Sequence, residues 1–287
     1  MTMNKAKAPK DLYAERAMVK AYPEMDKLAH DAFHSSVVAR NDDKARIERV
    51  MLYTCRLAKQ NAIKKILVLG CGPQPEPSKV LIDQGYDVIS VEPVPSFVET
   101  ASSYLGADET VVEGAAESIP VADGSQQLVF LESVLEHVDS VPVSLAEIYR
   151  VLAPGGFLYL STTNRHQFSL RGYNGEYHVP FYNWLPKLVK ECYVHDHLHF
   201  RPNLANFTER PAVHWFSYTD LCEAGREAGF ARFYSFVDLM RATDESIAKS
   251  KVRRLALNSI QRSPWIRALA LTQIGGHILM WKREIGA

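Results

Sequence analysis

Two glycines and a distant glutamate carry the first chemical signal in this sequence. Gly70 and Gly72 follow directly on the apolar run Ile66-Leu67-Val68-Leu69, and Glu92 ends a second apolar run 20 residues after Gly72. A glycine loop between a buried strand and a helix lets the backbone pass close beneath a ligand, because no Cβ stands in the way. An acid at the end of the next strand is placed to accept hydrogen bonds from ribose hydroxyls. Taken alone, the glycine pair makes a tight turn and nothing more. The rest of the loop narrows the ligand. A dinucleotide site needs a third glycine at position 75, where the pyrophosphate meets the helix N-terminus. This chain has Pro75 there, and it lacks the phosphate loop that ends in Gly-Lys-Ser/Thr.

These residues resemble motif I of the class I S-adenosylmethionine (SAM) dependent methyltransferases, whose ligand has a ribose but no phosphate. Two later stretches extend the resemblance. Gly114-Ala115-Ala116-Glu117-Ser118-Ile119-Pro120 is similar to the Gly-Asp-Ala-Glu-x-Leu-Pro stretch of the small-molecule branch, which includes ubiquinone and menaquinone biosynthesis enzymes. Arg150 to Leu158, Arg-Val-Leu-Ala-Pro-Gly-Gly-Phe-Leu, matches the same family. The resemblance implies an α/β fold: a doubly wound, Rossmann-like seven-stranded sheet with an antiparallel last strand, plus a helical or irregular cap. It implies SAM as cofactor and S-adenosylhomocysteine as product. Gly70, Cys71 and Gly72 would pass under the methionine part, with Glu132 and Ser133 facing it. Glu92 and Pro93 would border the ribose, and Ala115, Ala116 and Glu117 the adenine. Three positions depart from the family. Val68 stands where an acid is frequent, and Gln74 where a third glycine is frequent. Ala115 replaces the aspartate that holds the adenine amino group, a loss of about 1 kcal/mol for one neutral hydrogen bond.

Periodicity supplies the elements that must position these groups. Helical spacing covers 11–30 and 42–60; Ile47, Val50, Met51, Tyr53 and Leu57 share one face, and Asn41 or Asp42 offers an N-cap. Strands are expected at 66–69, 87–91, 109–112, 127–131 and 157–161, with helices at 78–84, 95–104 and 144–152 between them. Pro154-Gly155-Gly156 reads as a turn. Ser217 and Asp220 form a capping-box pattern for a helix ending at Gly229. A strand at 231–237, helical residues 244–270 and a final strand at 276–282 complete the order. The expected organisation is N-terminal helices covering the ligand (1–60), the SAM-binding core (61–164), a substrate cap (165–216) and the rest of the core (217–287).

The stretch 162–216 is too long for an ordinary connection and is dense in aromatics and histidines. It reads either as a cap over the acceptor, with Asn174, Tyr177, His178 and Tyr182 as contacts, or as a small subdomain in which these aromatics only pack. Tyr13, Tyr22, His30 and His34 are further residues able to reach the site. His137, His178 and His214 are the candidates for acceptor deprotonation, and His137 reads equally as a structural histidine at a strand end. His195-x-His197-x-His199 has extended-strand spacing but no accompanying acid or cysteine cluster, so no metal is expected.

Composition bounds the rest. The 287 residues carry 33 Lys+Arg against 33 Asp+Glu, a balance that argues against a dedicated nucleic-acid binder. The four cysteines are widely spaced, as in a reducing cytoplasm. Met1 to Lys10 lacks the apolar core of a signal peptide, and no apolar run is long enough for a transmembrane helix. Lys249, Lys251, Arg253 and Arg254 cluster on the late helical stretch, as a solvated face or as a contact for an acidic substrate or membrane surface. The expected activity is methyl transfer from SAM to a small-molecule acceptor, with oxygen favoured as the methylated atom. Intramolecular cyclisation or elimination of SAM, and a non-catalytic partner subunit, are the alternatives. Acceptor and oligomeric state are not encoded in any recognisable pattern.

Overall fold

The computed structural model describes residues 43–58, 62–106, 110–167 and 214–284, together with Val179, Tyr182, Leu185, Pro186, Val189, Lys190, Tyr193 and Ala212. Apolar runs of four to six residues become the buried centre of one sheet. Its strands are β1 (Lys65–Leu69), β2 (Asp87–Glu92), β3 (Thr110–Glu113), β4 (Gln126–Glu132), β5 (Leu152–Ser161), β6 (Arg232–Ser235) and β7 (His277–Trp281). They lie in the order β3-β2-β1-β4-β5-β7-β6. Neighbours from β3 to β5 are parallel, while β7 runs antiparallel to both β5 and β6. The switch in strand order therefore falls between β1 and β4, beside the glycine loop, where open α/β sheets bind their ligands.

Alternation along each strand feeds two cores. Leu67 and Leu69 of β1 face one cluster, with helices α4 (Val141–Val151) and α5 (Tyr218–Glu227) packed over it. Ile66 and Val68 face the other, covered by α1 (Asp43–Ala58), α2 (Glu76–Asp83) and Ala101 of α3 (Pro95–Leu105). Ile47, Val50, Met51 and Tyr53 of α1 are buried there, the stripe that the spacing indicates, and Leu57 is partly buried. The sheet class and the antiparallel last strand agree with the sequence reading.

Several boundaries differ, each for a local reason. Helix α2 begins at Glu76, two residues before the expected start, because Pro77 sits in the first turn, where a missing N–H costs nothing. Helix α4 likewise starts at Val141 with a proline in its first turn. Gly155, at φ +80°, makes a bulge within β5: Gln126 pairs with Leu152 and Leu128 already with Phe157. Strand β6 ends at Ser235 because Asp238 accepts hydrogen bonds from its amide and hydroxyl and starts helix α6 (Phe236–Leu239). The expected helical stretch 244–270 is three helices, α7 (Glu245–Ala248), α8 (Lys251–Arg262) and α9 (Pro264–Ile274). Ser250 and Ser263 cap the second and third, and Pro264 cannot continue the helix before it. The Ser217–Asp220 capping box forms as the sequence indicates. The possible N-cap at 41–42 and the expected helix at 11–30 lie outside the described residues.

One ion pair ties the first described helix to this late region. Arg56 donates to both carboxylate oxygens of Asp244, at 2.5 and 3.2 Å. The Arg56 hydrogen bonds hold the Asp244 carboxyl below the ordinary carboxylate range. The native state thus binds this proton less readily than the unfolded chain. The stabilisation is complete above the ordinary value of 3.8 and is lost as pH falls through the depressed native value. Asp244→Asn should cost about 2 kcal/mol in urea unfolding at pH 7, and the difference from wild type should shrink on acidification.

Candidate cofactor and acceptor site

The glycine loop and the end of β2 form one clasp. Gly70 donates its amide to the carbonyl of Val91 at 2.7 Å. Gly72, at φ +67°, donates to Oε2 of Glu92 at 2.9 Å, and Val94 donates to Oε1 at 3.3 Å. Glu92 is only 5% exposed, so these amides offset part of the cost of burying its carboxylate. Gly70 has φ +70°, and a Cβ there would lie 2.3 Å from a methyl carbon of Val134 in the loop after β4. Burial, with the charge of Glu92 adding to it, pushes the Cys71 thiol up to about 12, which suits packing and excludes a thiolate nucleophile.

The clasp fits SAM and misfits a pyrophosphate. Pro75 caps α2, and Pro77 lies in its first turn beside Glu76. Two missing N–H groups and an added acid leave this helix start unable to cradle phosphate. A buried carboxylate at the loop would repel phosphate and accept from ribose hydroxyls. Glu92 and the amides of the glycine loop are therefore the groups that would hold the nucleoside and methionine parts.

The neighbouring loops are braced by acids. Gly114 donates its amide to the backbone carbonyl of Glu92 at 3.1 Å, which ties the start of the Ala115-Ala116 stretch to the end of β2. Pro93 is exposed at the same edge. The carboxylate of Glu117 turns away, accepting from the amides of Asp139 and Ser140 at the start of α4. Glu132 accepts from Arg46 at 2.8 Å and from the Tyr159 hydroxyl at 3.0 Å, so its carboxylate points under α1. The Tyr159 hydroxyl, donating to Glu132, can only accept at its 3.3 Å contact with Nδ1 of His277. Burial and the nearby Arg46 and Arg49 lower the His277 pKa, which matches a neutral ring donating through Nδ1. Ser133 is the residue after β4, exposed and at φ +52°.

A second group of polar and aromatic residues lies beyond β4 and β5 at the same end of the sheet. Glu136 is 1% exposed and accepts from the Thr162 hydroxyl at 2.7 Å. His214 donates its backbone amide to the carbonyl of Glu136, and its Nε2 lies 2.8 Å from the carbonyl of Val138. A carbonyl only accepts, so Nε2 carries a proton. His137 closes the turn after β4, donating its amide to Val134. Tyr182 is fully buried with Ala212 and Trp215. Lys190, 6% exposed, places its ammonium 5.8 Å from the Tyr182 ring centre and 5.3 Å from that of Trp215. Burial, then the charge of Arg165, pushes Lys190 down to about 8. Among the described residues no carboxylate pairs with this ammonium, and the buried Trp215 Nε1 has no acceptor. Asn174, Tyr177, His178, Tyr13, Tyr22, His30 and His34 lie outside the described residues.

Residues 67–160 match the family model described as Methyltransferase domain. That stretch is similar to a methyltransferase domain. Over 130 residues it is 32% identical to a ubiquinone biosynthesis O-methyltransferase from Azorhizobium caulinodans, covering 43% of this chain and 49% of that protein. Over 139 residues it is 26% identical to a malonyl-[acyl-carrier protein] O-methyltransferase from Serratia marcescens, covering 47% and 54%. The chain thus spans about half the length of these curated relatives. A crystal structure from Galdieria sulphuraria, of a protein provisionally assigned as a sarcosine dimethylglycine methyltransferase, shares the fold. It has a TM-score of 0.50 and 17% identity, and the match covers 84% of this chain and 86% of that one.

Sequence reasoning missed three features around this site. The Arg46–Glu132–Tyr159–His277 relay joins four separate elements, and no spacing announces it. Lys190 and Trp215 meet across a segment without regular periodicity. Glu136 carries no spacing signal, whereas its carboxylate ties the turn after β4 to Thr162. Gly70 offers a test of the loop geometry: Gly70→Ala should lose about 1–2 kcal/mol in urea unfolding from its positive φ alone, with more from Val134. Gly70→Ala/Val134→Ala should recover the part due to the clash.

Proposed function

We propose that this protein transfers the methyl group of SAM to an oxygen of a small-molecule acceptor. The observation that carries the reading is the buried Glu92 carboxylate bound to the Gly72 amide beside a helix start that cannot hold phosphate. Two relatives named as O-methyltransferases, at 32% and 26% identity, support oxygen as the methylated atom. SAM supplies an already activated methyl on a sulfonium, whose sulfur leaves as a neutral thioether. The chain's task is then to align the acceptor and exclude water. Gly70 to Gly72 hold the methionine end, Glu92 the ribose, and the backbone of Ala115 and Ala116 the adenine edge. His214 is the preferred base, because the Val138 carbonyl holds its ring through Nε2 beside the turn after β4. His137 and His178 remain the other candidates. Tyr182, Trp215 and Lys190 wall the acceptor side and favour an acceptor with an apolar body and an anionic group; Asn174 and Tyr177 belong to the same proposed wall.

Incubation of the full chain with SAM, with and without a panel of hydroxylated carboxylic acids, tests the reaction when followed by mass spectrometry. S-adenosylhomocysteine should accumulate with an acceptor and gain a methylated partner. Disappearance of SAM without acceptor would instead indicate cyclisation or elimination. His214→Ala should lower turnover about 100-fold or more without loss of SAM affinity.

Lys190 adds a pH signature. Its native pKa, about 8, lies below lysine's ordinary 10.5, so the unfolded chain holds this proton to higher pH. The group therefore weakens the native state below pH 8, and its contribution improves as pH rises from about 8 toward 10.5. Lys190→Met should raise the thermal midpoint at pH 7 while impairing turnover of an anionic acceptor, as scanning calorimetry and the same assay would show.

A further inference from the structure

Helix α9 has 11 residues and buries none of them. Trp265 is 85% exposed, Leu269 69%, Val252 76% and Leu255 69%. Trp265 and Leu269 are separated by one helical turn, as are Val252 and Leu255 on α8, so each pair shares a face. The charge is equally one-sided. From Ser246 to Gly275 the chain has Lys249, Lys251, Arg253, Arg254, Arg262 and Arg267 and no Asp or Glu, although the whole chain is balanced. The adjacent acids are engaged: Glu245 with Lys249 and Asp238 with Arg267. Among the described residues Lys251, Arg254 and Arg262 have no acidic partner and are exposed.

The hairpin is firmly mounted. Leu257 is buried, and Gln261 donates to the carbonyls of Val237 and Met240 at 2.8 and 3.0 Å. Arg267 donates twice to Asp238, both at 2.8 Å. Asn164, just beyond the end of β5, donates to the carbonyl of Thr272 at 3.1 Å. That contact fixes the end of α9 at the carboxyl end of the sheet, which also carries the glycine loop and His214. No described helix is long and apolar enough to cross a membrane.

We propose that α8 and α9 dock this protein on the surface of an anionic lipid bilayer. Trp265, Leu269, Val252 and Leu255 enter the headgroup–acyl boundary, and Lys251, Arg254 and Arg262 meet the phosphates. Apolar side chains interleaved with unpaired bases and no acids are the chemistry such an interface selects. The proposal does not depend on SAM binding.

Vesicle flotation of the full chain tests it, with phosphatidylcholine alone and with added phosphatidylglycerol. Binding should be at least about tenfold stronger to the anionic vesicles and should weaken with salt. Trp265→Ser/Leu269→Ser should weaken it about tenfold or more, and Lys251→Glu/Arg254→Glu should remove the preference for anionic lipid. Both variants should keep the wild-type affinity for S-adenosylhomocysteine. Tryptophan emission should shift to the blue with anionic vesicles in wild type and not in Trp265→Phe. Failure of wild type to float with anionic vesicles, or flotation of the double variants like wild type, would overturn the proposal. So would a wild-type dimer that ignores vesicles and dissociates on Trp265→Ser, which would make this face a protein contact.

Discussion

The hydrogen bond from the Gly72 amide to the Glu92 carboxylate is the contact on which the rest of the site depends. It joins the loop after β1 to the end of β2 and fixes where a buried negative charge stands. Glu92 is 5% exposed. A carboxylate at that depth needs donors, and the amides of Gly72 and Val94 are two that the folded backbone brings there. The left-handed conformation of the glycines is what aims one of them. The prolines at the start of α2 then remove the donors that a phosphate would need. In the proposed function, one loop would thereby favour a ribose over a pyrophosphate.

Around this clasp, acids serve as struts more than as reagents. Glu117 holds the start of α4, Glu132 takes Arg46 and Tyr159, and Glu136 takes Thr162. Each crosses between elements far apart in sequence, so the loops at the carboxyl ends of β3, β4 and β5 are fixed relative to one another. Pre-positioned loops suit a reaction in which the methyl donor is already activated, because alignment is then the main contribution asked of the protein. The same end of the sheet carries the Lys190 cage and the anchored end of α9, so the glycine loop, the Lys190 cage and the surface hairpin share one side of the fold.

Much of this was legible in the sequence where local pattern and burial coincide. The runs Ile66 to Leu69 and Leu128 to Leu131 can only be buried strands, and the Ser217–Asp220 box announced its helix. Pro77 and Pro142 were less legible, because a proline reads as a breaker until its place in a first turn is known. Glu117 was legible only by its motif position; that its carboxylate reaches the amides of Asp139 and Ser140, more than twenty residues on, is a pairing set by the fold alone. Lys190 left no signal because its partners are two rings rather than an acid. The exposed face of α8 and α9 was half visible: the basic cluster stands out in sequence, whereas the exposure of Trp265 and Leu269 does not.

The central claim is that Glu92 receives the ribose of SAM, and calorimetric titration of SAM into wild type and Glu92→Ala tests it most directly. Wild type should bind, and the variant should bind about 100-fold more weakly while remaining folded, as expected for losing charge-assisted hydrogen bonds to two hydroxyls. Equal affinities would remove Glu92 from the site, and no binding to wild type would contradict the assignment of the glycine loop to SAM.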